Sequence, residues 1–140
     1  MPLFNTNTLV QTVSSSLASN VTTNSGTFST LLTINLTTYG GSLVVKGFVT
    51  SSNSGTPDTN LFRIQINGTT VATAADGTDG GVGSGANIQL DCHLLSQNSV
   101  TAGSNTITLQ WAVTGGTGRI NALSGTNGEQ AILHAKEVYV

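Results

Sequence analysis

The sequence predicts an all-β protein, an antiparallel sandwich or barrel of about eight strands behind an extended N-terminal arm. Three observations carry this reading. Thr, Ser, Asn and Gly supply 68 of the 140 residues. Thr is stiff at χ1, Ser and Asn compete for backbone hydrogen bonds, and Gly loses entropy on ordering, so this composition disfavours helix. It suits strands joined by tight turns. Apolar residues also recur at period two along most of the chain, which is the pattern of half-buried strands. Turn residues punctuate these runs at the spacing of a sandwich or barrel.

The elements follow in chain order. Residues 1–26 read as an extended arm, with one short strand at "TLVQTV" and a polar meander, "SSSLASNVTTNSG", behind it. The main domain, residues 27–140, opens with "FSTLLTINL", where Phe28, Thr30, Leu32, Ile34 and Leu36 are expected on one face. After Tyr39-Gly40-Gly41 comes "SLVVKGFVT". "LFRIQI" sets Phe62, Ile64 and Ile66 against Arg63 and Gln65, and Asn67-Gly68 then marks a hairpin returning as "TTVATA". A type I′ turn needs positive φ at both central residues, and Asn-Gly meets that need best. "NIQLDCHLL" alternates Ile88, Leu90, Cys92 and Leu94 against Gln89, Asp91, His93 and Leu95. "NTITLQWAV" places Ile107, Leu109, Trp111 and Val113 together. Gly115–Gly118 turn the chain into the short strand "RINAL", and "QAILHAKEVYV" closes the domain.

Charge is scarce. Asp, Glu, Lys and Arg make up 7% of the chain and the net charge is −2, against about 25% charged residues in an ordinary domain. No basic patch supports binding to nucleic acid or an anionic membrane. A single cysteine cannot close an intrachain disulfide. The start "MPLFNTNTLV" lacks the basic and long apolar regions of an export signal, and no run approaches the ~18 apolar residues of a membrane helix. Synthesis in a cytoplasm is therefore expected, and the sequons at Asn20, Asn35 and Asn67 fit chance in an Asn- and Thr-rich chain.

The stretch "QLDCHLL" gathers an acid, the cysteine and a histidine. Alternation separates them. Cys92 falls with Leu90 and Leu94, and a free Cys packs there as a small hydrophobe. Asp91 and His93 fall on the other face, ~6.5–7 Å apart along the strand, where they meet solvent or a neighbouring subunit. A Cys92–His93 dyad fails on geometry. His134 shares its face with Ile132, Lys136 and Val138. Two histidines and one cysteine without metal-ligand spacing do not predict zinc. The loop Ala74–Asn87 lacks the Gly-Lys-Ser/Thr ending of a phosphate loop and the terminal Glu of a calcium loop. No enzymatic activity, metal or cofactor is expected. Trp111 is expected in the core or at a subunit interface, where Trp is a common anchor. Tyr139 joins His93, Asp91 and His134 as a candidate for the subunit interface. Leu3 and Phe4 are apolar residues near a terminus. With Leu9 and Val10 they are candidate contacts to a neighbouring subunit or partner, unless they cover the domain's own edge.

"TAGSNTITLQWAVTGGTGRINA" followed by "ILHAKEVYV" resembles a pattern of small bacteriophage structural proteins with a trimeric, tumour-necrosis-factor-like jelly-roll domain. The likeness covers residues 28–140 and rests on turns and alternation. It implies a jelly-roll sandwich, a homotrimer and a place on the outer surface of the virion. A head decoration or cement protein clamping the major capsid protein is the first expectation. A receptor-binding tip or fibre knob that takes a host glycan or protein is the alternative.

Overall fold

The structure, a computed structural model, describes residues 8–55, 58–77, 90–120 and 131–139. Ten strands occur among them: β1 Thr8–Ser16, β2 Val21–Thr23, β3 Ser29–Thr38, β4 Ser42–Asn53, β5 Thr59–Ile66, β6 Thr69–Gly77, β7 Leu90–Ser99, β8 Gly103–Val113, β9 Gly118–Ile120 and β10 Ala131–Tyr139. All pairings are antiparallel. One sheet runs β1-β10-β4-β9-β2, with β7 on the second edge of β4; the other runs β3-β8-β5-β6. The two make a sandwich of the expected class. The segment read as an arm holds β1 and β2, and β1 pairs with β10 along its length. Only residues 1–7 of it lie outside the described set.

The inner faces follow the alternation. Ile34, Val45, Val49, Phe62, Ile64, Ile107, Leu109, Trp111 and Leu133 are buried in one core. Each fully buried aliphatic or aromatic side chain contributes about 1.5–3 kcal/mol. Trp111 stacks on Phe62 with ring centroids 6.5 Å apart. Gly47 lets the sheets close, since a Cβ there would meet Ile64 at 3.3 Å and Leu94 at 3.4 Å. The hairpin turn is as read: φ is 50° at Asn67 and 82° at Gly68.

One predicted face is corrected. The register slips between Thr30 and Leu32. A bulge adds a residue and reverses the parity of what precedes it. Leu32, Ile34 and Leu36 are buried as expected, but Thr30 pairs with Gln110 and Phe28 lies under the Arg63 guanidinium, 4.1 Å from the ring centre. Phe28 therefore belongs to the outer face.

Polar side chains inside the sandwich are tied. Asn60 Nδ2 donates to Ser51 Oγ at 2.8 Å, and Asn53 Nδ2 donates to Asn60 Oδ1 at 2.9 Å. At the opposite end Asn105 Nδ2 donates to Thr38 Oγ1 at 2.8 Å. Glu137, fully buried, accepts from Tyr39 N (2.7 Å), Gly41 N (3.1 Å) and Gln11 Nε2 (2.6 Å). It pins the Tyr39–Gly41 turn to β1 and β10. Burial pushes its carboxyl up, but these three donors outweigh that and hold it below the usual carboxylate range.

Candidate functional site: the outer face of the β1-β10-β4-β7 sheet

Partners in an antiparallel ladder share a face, so the register maps the outer surface row by row. Leu9 pairs with Val138, and Val138 with Ser42. Next come Thr12, Lys136, Val44 and Gln97. Then come Ser14, His134, Lys46 and Leu95, and after them Ser16, Ile132, Phe48 and His93. Asp91 pairs with Thr50 in the row beyond; its side chain and that of Cys92 lie outside the described set. This one face thus carries both lysines and both histidines of the chain. Among the described side chains no carboxylate joins them, since Glu137 is buried and Asp58 sits by Gly55 and Gly115.

The face is also apolar. Leu95 is 66% exposed and Leu9 58% exposed. Val44, Phe48 and Ile132 are half-buried between them. Phe48 meets the His93 ring edge-on at 4.9 Å between centroids. His134 carries a buried Nδ1 with no hydrogen-bond partner. A depression of about 400 Å³, lined by Leu9, Thr12, Val44, Gln97, Lys136 and Val138, indents one end. Beyond its rim stand Tyr39 and Tyr139, both exposed, with Tyr139 Oη donating to Tyr39 O at 3.3 Å.

The candidate residues separate cleanly. His93, His134 and the backbone position of Asp91 come to this face, and Tyr139 and Leu9 to its end. Val10 is half-buried at a bulge between Leu9 and Gln11. Leu3 and Phe4 lie outside the described residues, as does most of Ala74–Asn87. Trp111 takes the first of its two expected places, the core: it is 3% exposed and stacked on Phe62. Val44, Lys46, Phe48 and Leu95 join the face only in the structure. Each was readable as one face of its own strand, but joining the strands needs the register.

Among the described residues no three of His, Cys, Asp and Glu gather as a metal site requires. A second depression, about 280 Å³ beside the Asn67–Gly68 hairpin, has amides engaged with one another: Asn67 Nδ2 donates to Asn105 Oδ1 at 2.8 Å.

No family model matches the chain, and no curated protein matches it. Eleven chains of solved structures do. One is the crystal structure of the infectious bursal disease virus VP2 subviral particle, 18% identical, with a TM-score of 0.46. The match covers 93% of this chain and 38% of that one, so the chain spans well under half that protein's length. At this TM-score the likeness carries no weight for function.

Proposed function

We propose that this chain is a structural protein of a bacteriophage particle, a capsid decoration protein that works as a homotrimer and not as an enzyme. The observation that carries the proposal is the outer face of the β1-β10-β4-β7 sheet. Leu9 and Leu95, exposed, with the half-buried Val44, Phe48 and Ile132, form an apolar field there, which a solitary domain with so polar a surface has no need to expose. Three copies meeting through this field would bury it, as permanent assemblies do, at well over ~2,000 Å² in all. The exposed Tyr39 and Tyr139 at one end are amphipathic anchors of the kind enriched in contacts, and they supply a seat on the capsid. The resemblance of residues 28–140 to trimeric phage jelly rolls supports the same reading.

Labelled protein incubated with particles tests it. Hundreds of copies over the head are expected. A few copies at the tail end would instead support a receptor-binding tip and sink the decoration role.

A further inference from the structure

We infer that Glu137 is an acid-sensitive latch on strand β1: when its carboxylate takes a proton, β1 comes away from the sandwich while the rest of the core stays folded. The inference needs no second copy and stands apart from the assembly proposed above.

β1 has little apolar hold on the core. It is an edge strand whose ladder partner is β10. The residues it turns inward, Gln11, Val13 and Ser15, pair with Glu137, Ala135 and Leu133, all fully buried. Of the three only Val13 is apolar, and it is half-buried. Apolar burial is the main favourable term in packing one element on another, so along β1 that term is small. The ladder is also irregular between Leu9 and Gln11.

A polar tie takes its place. Gln11 Nε2 donates to Glu137 Oε2 at 2.6 Å and to Thr37 O at 2.8 Å. Thr37 belongs to β3, in the other sheet, so one amide fastens β1 across the sandwich. The second carboxylate oxygen, Oε1, accepts from Tyr39 N and Gly41 N. All three bonds to Glu137 use an ionised carboxyl, which only accepts.

A proton breaks this set on the Gln11 side. Oε1 faces two fixed backbone donors, so the proton goes to Oε2, which then donates toward the Gln11 amide nitrogen, itself a donor. Gln11 can answer only by turning its amide over and offering its oxygen to the new O–H. An oxygen then stands where Nε2 met Thr37 O, and the tie to β3 is lost.

The surroundings leave the charge of Glu137 itself to decide. Leu43 meets it from β4 and Gln11 from β1, with Thr37 O of β3 behind Gln11. Tyr39 and Gly41 meet it from the turn, and Ala135 and Tyr139 share its face of β10. None of these is a cation or a second carboxylate. Alternation sends His134 and Lys136 to the outer face. The three donors hold the carboxyl below its usual range, so the latch is shut above about pH 4.5 and opens as pH falls through the lower folded value.

Backbone amide NMR on the full chain tests this. At pH 6 Thr12–Ser16 should show strand-like shifts. At pH 3 they should lose them, while Ile107–Val113 in β8 keep theirs. A strand-like β1 at pH 3, or β1 and β8 lost together, overturns the latch. Glu137→Gln retains both histidines, so an effect of their charge survives in it. In that variant β1 should already lack strand-like shifts at pH 6 with β8 native, and a strand-like β1 there overturns the inference. Should Glu137→Gln not fold, Gln11→Ala leaves Glu137 and its turn in place. It should free β1 at pH 6 with β8 native, and wild-type β1 shifts in it also overturn the inference.

Discussion

The sandwich turns two outer faces to its surroundings, and they are finished differently over the same core. The β3-β8-β5-β6 face is mostly short uncharged groups, with Phe28 and the half-buried Leu61 among them. Thr33 pairs with Thr108, Asn35 with Thr106 and Thr37 with Ser104. Its one cation, Arg63, is spent locally, donating from Nε to Gln110 Oε1 at 2.7 Å and lying over Phe28. The β1-β10-β4-β7 face has Val44, Phe48, Leu95 and Ile132 at the equivalent outward positions, with Lys46, Lys136, His93 and His134 among them. Hydroxyls and amides are content in water. Exposed aliphatics are not, and on this reading the difference separates the face proposed to be covered from the one left in water.

The largest effect should come from removing what both faces stand on. Trp111→Ala opens a cavity beneath them and is expected to cost about 3–5 kcal/mol, read as an early chemical-denaturation midpoint. Phe48→Glu separates the faces: association should weaken by about 2 kcal/mol or more, roughly thirtyfold, with the fold intact by circular dichroism. Glu137→Gln acts on the corner beside the apolar face. An amide there presents a donor to groups that already donate, at about 1–3 kcal/mol. The carboxyl's folded-state value is lowered from 4.5, so its contribution is fully present above about pH 4.5 and is lost as pH falls through the lower folded value. The wild-type protein should therefore lose more stability between pH 6 and 3 than the Gln variant; equal losses would remove Glu137 from the account. Thr33→Glu, on the polar face, should leave the solution mass unchanged and shift stability by less than about 1 kcal/mol. If it disrupted association as Phe48→Glu does, the contrast between the faces would collapse.

Much of this was legible in the letters. The alternation of Ile107 to Val113 and of Phe62 to Ile66 named the core, and Asn67-Gly68 named its turn. What failed had local causes. A bulge leaves no mark in a run such as "FSTLL", so alternation alone puts Phe28 on the face of Leu32 and Ile34. For Trp111 the strand shows which face it takes but not how deeply that face is packed. Glu137 falls in step with Leu133 and Ala135, so a carboxylate on the buried face could have been noticed; its donors, Gln11, Tyr39 and Gly41, could not, since they converge only in three dimensions. The candidate face was hidden for the same reason. Lys46, His134 and Leu95 become neighbours through ladders linking residues far apart in the chain. "QLDCHLL" illustrates both sides: alternation split the stretch correctly at His93 and Leu94, and the register supplied Phe48 as the partner of His93.

The central claim is that the β1-β10-β4-β7 face is covered by further copies of the chain. Sedimentation equilibrium at low protein concentration tests it directly, with wild type and Phe48→Glu side by side. A wild-type mass of three times the 14.2 kDa chain, falling to one chain in the variant, is predicted. A wild type that sediments as a single chain, or a Phe48→Glu trimer as tight as wild type, would contradict it.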